Sequence, residues 1–176
     1  MSNGLVVRYN DFRRFGTFAI CSSEALGAHP TLSRLGVDAL STELHGERLF
    51  ELLKNKKTPI KTSLLDQSLI SGIGNMYACE ILYWSDIQPG RQSGSLSRSE
   101  TEKLARAIHE ILSAAVESGG STLPDYEGTT GALGSFHHRF AVFGRPELRC
   151  PRCESPCVLK CLLSGRTTYY CPTQQR

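Results

Sequence analysis

The side chains best suited to chemistry crowd the end of this sequence. CPRCESPCVLKCLLSGRTTYYCPTQQR carries Cys150, Cys153, Cys157, Cys161 and Cys171, five of the seven cysteines, while Cys21 and Cys79 stand alone. Cys150 and Cys153 have the CxxC spacing that lets two thiolates reach one ion, and soft sulfur donors suit Zn²⁺. The expected ligands are Cys150, Cys153 and Cys171. A second CxxC pair would place a cysteine three positions after Cys171, but Gln174 stands there, and a neutral amide oxygen is a poor zinc ligand beside a thiolate. Cys157 or Cys161 could complete the site, water could do so, or the tail could stand without metal. The additional cysteines could equally be small core residues.

A second set of residues suits a polyanion. Arg13, Arg14 and Phe15 put cations beside an aromatic wedge, a combination that fits insertion into a base stack. SGIGN precedes a helical pattern, so main-chain N–H groups and the Asn75 amide can meet a phosphate. Arg166, with Thr167 and Thr168, follows a turn signal in the tail. KNKKTPIK, which includes Lys56, Lys57 and Lys61, adds nonspecific attraction. Each feature also has a plain structural reading: strand-edge charges, a core phenylalanine, a helix cap, or a solvated helix end where lysines favour the dipole.

These residues must be held by elements whose signals run along the chain. Leu5 to Tyr9 and Phe15 to Ile20 read as a hairpin, and residues 21 to 37 as a connector. Ser41 to Leu53 is helical, Thr58 and Pro59 open another helix, and a third runs from Asn75 to Trp84. Ser97 to Ser118 is the strongest helix, with Leu104, Ala107, Ile108, Ile111, Leu112, Ala115 and Val116 on one stripe. Ser99 and Glu102 form its expected capping box, and Gly119 and Gly120 end it. Ser121 to Gly134 has loop composition, and short strands and turns follow from Phe140.

Composition is that of a globular protein, with a net charge of +3 and a pI near 8.5, too modest to require a polyanionic partner by itself. No apolar run reaches the length of a membrane span. Clustered cysteines fit a metal site in a reducing compartment better than a secreted disulfide framework.

The succession NDFRRFG, LLDQSLISGIGNMYACEILYWSDIQPGR, GGSTLPDY, FAVFGR and CPRC…GRTTYYCPTQQR resembles the formamidopyrimidine-DNA glycosylase family, relatives of endonuclease VIII, from about Tyr9 to Arg176. The resemblance implies a helix-two-turn-helix domain followed by a zinc ribbon. It implies that Arg13 fills the gap left by a flipped nucleotide, that Phe15 wedges the stack, and that Asn75 and Arg166 hold phosphates flanking the lesion. It also implies that Ser121 to Ser135 closes over the extruded base.

Departures from the family pattern accompany it. The family's catalytic amine is an N-terminal proline followed by glutamate, whereas this sequence opens MSNG, so no residue is assigned a catalytic role. Phe12 replaces a usual proline, Ser135 a common aromatic, and Gln174 the fourth cysteine.

The expected fold is mainly α with a little β: a remnant of an N-terminal β domain and a connector over 1–37, a helix-two-turn-helix domain over 38–134, and a zinc-ribbon-like finger over 135–176. The expected function is binding of duplex DNA with an oxidised or abasic lesion, as in base excision repair of oxidised purines, by a cytoplasmic, nucleoid-associated monomer. Zinc is the candidate cofactor, and a separate N-terminal catalytic half a candidate partner. An active glycosylase and AP lyase completed by that half, and a non-catalytic protein-interaction module, are the alternatives.

Overall fold

A computed structural model describes residues 4, 6, 9, 11, 15–121, 134–154 and 158–176. Its two compact units are Met1–Ser33 and Arg34–Arg176. The first holds a 3-10 turn at Leu26–Ala28. The expected strand at Phe15–Ile20 is not formed, and most of its intended partner, Leu5–Tyr9, lies outside the described residues. Phe15, Phe18 and Ile20 are exposed. Among the described residues no other strand pairs with this segment, and a two-stranded ribbon alone buries too little apolar surface to persist, which accounts for the difference.

The described residues of the second unit form four α-helices. Helix α1 spans Gly46–Leu53, α2 Ile60–Leu64, α3 Asn75–Trp84 and α4 Arg98–Glu117. Strands β1 (Val37–Asp38) and β2 (Ile70–Ser71) pair in parallel, and β3 (Leu159–Leu163) pairs antiparallel with β4 (Arg166–Tyr170). No described helix is long and apolar enough to cross a membrane.

Helix α1 begins five residues later than the sequence pattern suggests. Leu40 N donates to Asp38 Oδ1 at 2.8 Å and Glu43 N to Ser41 Oγ at 3.0 Å, so short polar side chains hold this stretch in turns that compete with a helix. His45 Nδ1 then accepts from Arg48 N, capping α1. Gly46 is required where α1 meets α4, because a Cβ there would lie 2.6 Å from Glu102 Cα. The expected α2 start is formed, with Pro59 at the N-cap.

The capping box of α4 is Ser97 with Glu100, not Ser99 with Glu102. Both pairs have the required spacing, but Glu102 is taken up by the contact with Gly46. Arg91 grips the Glu100 carboxylate with both terminal nitrogens, and this hydrogen bonding holds its pKa down at about 2. The apolar stripe is buried except for Val116, which is 67% exposed. Gly119 and Gly120, at φ +70° and +82°, end α4 as expected.

Helix α3 is the wall shared by two cores. Ala78, Ile81 and Leu82 pack with α1, α2 and α4, whereas Cys79 and Tyr83 pack with Ala141, Val142, Cys150, Val158 and Cys171 of the tail. Such two-sided burial explains why its sequence, NMYACEILYW, is apolar nearly all round.

Candidate functional site

Two tight turns separate α2 from α3. Gln67 shapes the second of them: its Oε1 accepts from Gly72 N at 2.9 Å and its Nε2 donates to Ile73 O at 3.0 Å. Gly72 takes φ +97°, a conformation that disfavours any side chain. Gly74 is the N-cap of α3; among the described residues no side chain caps the helix, no acidic residue occupies its first turn, and a Cβ at Gly74 would meet nothing within 4 Å. The N-terminal amides of a helix prepared in this way favour an anion.

Arg166 sits at the mouth of this region. The hairpin turn is Ser164–Gly165, both at positive φ (48° and 74°), the two-residue geometry that matches strand twist. Arg166 opens β4 immediately after it, opposite Leu163. Its side chain borders two clefts. One, of about 390 Å³, also involves Gln67, Gly74 and Asn75; the other, of about 330 Å³, involves Lys56, Lys61 and Ser164. The fold therefore brings Lys56, Asn75 and Arg166 together from three separate parts of the sequence. Lys57 is exposed and borders neither cleft.

Asn75 Nδ2 donates to Thr167 O at 3.1 Å, while its buried Oδ1 has no partner among the described residues. The same Thr167 carbonyl accepts from Lys61 Nζ at 3.0 Å, and Lys61 Nζ also donates to Thr168 Oγ1 at 2.7 Å. Lys61 is only 1% exposed; burial, the largest influence, pushes its pKa below the ordinary lysine value. Thr62 Oγ1 donates to Ser164 Oγ at 2.9 Å. The ribbon tip is thus fastened to both α2 and α3.

The tail brings Cys150, Cys153 and Cys171 into one cluster, with all three sulfurs within 4.8 Å of one another. Cys153 Sγ and Cys171 Sγ are 3.7 Å apart, too far for a disulfide. Two sulfurs about 2.3 Å from one tetrahedral zinc are separated by roughly 3.8 Å, so this spacing fits the ion. Two matching turns present the ligands: Glu154 N donates to Cys150 O, and Gln175 N to Cys171 O, both at 2.9 Å. The position in the second turn corresponding to Cys153 is therefore Gln174.

Cys161 lies on β3, opposite Thr168, and is not a member of the cluster. Cys157 lies outside the described residues. Three thiols fit zinc; the described residues supply no fourth.

The knuckles are also held by ordinary contacts. Gln175 is buried, with Oε1 accepting from Cys171 N at 2.7 Å and Nε2 donating to Ile87 O at 2.9 Å. Asp86 pairs with both Lys103 and Arg152, and the Arg152 guanidinium lies over the Tyr83 ring.

Beside them, the buried Glu80 carboxylate accepts from three successive amides, Ala141, Val142 and Phe143, at 2.8, 2.9 and 2.7 Å. Burial pushes its pKa up, and these donors pull it back. Tyr77 Oη lies 3.0 Å from Ser121 Oγ, and Ser121 bridges to Ser135. Helix α3 therefore fastens both ends of the expected loop, whose residues 122–133 lie outside the described part.

Arg13 also lies outside the described residues, and Phe15 belongs to the first unit, where it is 81% exposed. Sequence reasoning overlooked Gln67, Glu80 and Gln175 and gave Lys61 only a share of a charge run. A buried partner is not visible in residue type; the one signal was the presence of Glu80 within an otherwise apolar helix.

Comparison with known proteins agrees with this geometry. Residues 35–127, more than half of the chain, match the formamidopyrimidine-DNA glycosylase H2TH domain. Formamidopyrimidine-DNA glycosylase of Cereibacter sphaeroides strain KD131 is 44% identical over all of this chain and 62% of its own length. That of Dinoroseobacter shibae is 41% identical over 98% of this chain and 61% of its own. The chain thus spans about 62% of the length of the curated relatives it matches.

Among solved structures, the MutM (Fpg) protein of Thermus thermophilus superposes with a TM-score of 0.85 at 42% identity, covering 94% of this chain and 62% of that one. The Lactococcus lactis Fpg, in complex with an abasic site containing DNA, gives 0.86 at 30% identity, covering 94% and 60%. With its two turns before α3, its glycine-led helix start and its ribbon hairpin, this chain belongs to the formamidopyrimidine-DNA glycosylase family.

Proposed function

We propose that this chain grips the backbone of duplex DNA at an oxidised or abasic site, as part of base excision repair of oxidised purines. The observation that carries this reading is the convergence of Arg166, Lys56 and the uncapped start of α3 around adjoining clefts. Cationic side chains and oriented N–H groups at one place suit successive phosphates. The abasic DNA bound by the Lactococcus relative supports the choice of ligand. Arg13 and Phe15 are assigned to the space left by the flipped nucleotide; extrusion costs a few kcal/mol, which backbone contacts help to offset.

Zinc is proposed as the structural ion of the tail, held by Cys150, Cys153 and Cys171. Bound there, it would draw the two knuckles together; its fourth corner is not filled by a strong protein donor among the described residues. The metal has no assigned part in base excision. The protein acts as a cytoplasmic, nucleoid-associated monomer in this reading, and a chain supplying the catalytic amine is a candidate partner.

Fluorescence anisotropy with matched duplexes tests the proposal. Tighter binding to an abasic duplex than to the intact one supports it, and equal affinity removes lesion recognition. Borohydride trapping on abasic DNA tests the alternative of intrinsic lyase activity: a covalent adduct requires a Schiff-base amine on this chain and would favour that alternative, whereas its absence would favour binding alone.

A further inference from the structure

We propose that Lys61 is a positioning residue that sets the register and direction of Arg166 toward its phosphate, an inference that rests on the DNA-binding reading above. Lys61 is buried, and among the described residues no carboxylate pairs with it. A buried ammonium without a counter-ion is expensive, and an apolar side chain of similar length would fill the space at lower cost. Its retention therefore calls for a purpose beyond packing.

Its hydrogen bonds converge on one place. Lys61 Nζ donates to Thr167 O at 3.0 Å and to Thr168 Oγ1 at 2.7 Å, both on β4. Thr167 directly follows Arg166, and its carbonyl is shared with Asn75 Nδ2, the side chain at the start of α3. One buried cation thus joins the end of the ribbon that carries Arg166 to the helix start proposed to hold the neighbouring phosphate. A two-stranded ribbon is marginal alone, and Arg166, exposed on its own strand, has no support from a third strand among the described residues. Fixing the adjacent peptide limits the directions its long side chain can take, so less freedom is lost on binding.

The test is a double-mutant cycle with a DNA-free control. Lys61→Met keeps the length and removes the donors; Thr168→Val keeps the charge and the shape and removes one acceptor. Lys61→Met should weaken binding to an abasic duplex by about tenfold and lower the salt slope by about one, the signature of one lost phosphate contact. In an Arg166→Ala background the same change should cost less than about twofold, because its effect passes through Arg166. Thr168→Val should show the same dependence on Arg166 with a smaller loss, and it carries the cycle if Lys61→Met does not fold.

Hydrogen exchange supplies the control: amides of Arg166–Tyr170 should exchange about tenfold faster in either variant while α4 is unchanged. Equal fold-losses with and without Arg166, or unaltered exchange in the ribbon, would overturn the positioning role. Failure of the unaltered protein to bind DNA would instead sink the proposed function, leaving exchange to decide whether Lys61 orders the ribbon.

Discussion

The Tyr83 hydroxyl lies 3.3 Å from Cys150 Sγ, so the last turn of α3 reaches the thiol cluster while its first residue borders the Arg166 cleft. Burial, the leading cause, and the neighbouring sulfur push the pKa of Tyr83 up, which keeps it a neutral donor to a thiolate. Hydrogen bonds from outside the ligand set orient metal-bound sulfur, and their loss costs about tenfold or more in affinity. Tyr83→Phe is expected to lower zinc affinity by about tenfold in a chelator competition, with the fold intact by circular dichroism. Unchanged affinity would show that the hydroxyl does not support the site.

Gln174 occupies the corner matching Cys153, and Gln174→Cys should therefore close the site. Zinc should then survive EDTA treatment that strips the unaltered protein, because four strong ligands make a closed structural site. Cys153→Ser should abolish tight binding. Metal content by mass spectrometry before and after EDTA checks both. Chelator-resistant zinc in a Cys157→Ser, Cys161→Ser variant that keeps Gln174 would show that a fourth thiolate is not needed.

Glu100 offers a stability test. Its pKa lies near 2 in the folded chain, below the ordinary 4.5, chiefly through the Arg91 hydrogen bond. The stabilisation is present above the unfolded value and is lost as pH falls toward 2. Glu100→Ala should cost about 1 kcal/mol near pH 7 through loss of the capping box. Urea midpoints of the two proteins should converge as the pH is lowered, and a difference that persists unchanged below pH 2 would exclude this origin.

Glu80 should be far more sensitive. Glu80→Gln leaves a single acceptor oxygen for three amides and places its NH₂ against a donor. The expected loss is roughly 2–3 kcal/mol, since unsatisfied buried donors cost more than a typical hydrogen bond contributes. Denaturant unfolding measures it. A loss below about 0.5 kcal/mol, within the range of neutral surface changes, would mean that the clamp is not an energetic anchor.

The helices were legible because their signals are local. NMYACEILYW follows two glycines, and α4 shows a regular stripe between a cap and a glycine pair. The register of the cap was not legible, because two Ser-x-x-Glu spacings overlap and tertiary partners distinguish them: Arg91 holds Glu100, whereas Glu102 lies against Gly46. The thiol cluster was readable from spacing, whereas the exclusion of Cys161 required the strand pairing that places it opposite Thr168. Lys61 shows the limit most clearly. Within KNKKTPIK it looks like one more surface lysine, and only the return of the chain at Thr167 and Thr168 buries it.

The most direct test of the account is the salt dependence of binding to an abasic duplex, measured for the unaltered chain and for Arg166→Ala. With Lys56, Arg166 and the start of α3 on phosphates, the log–log slope should be on the order of −3, and Arg166→Ala should reduce its magnitude by about one while weakening binding to every sequence alike. Affinity indifferent to salt, or an Arg166→Ala slope equal to that of the unaltered chain, would contradict the claim that this face grips the DNA backbone.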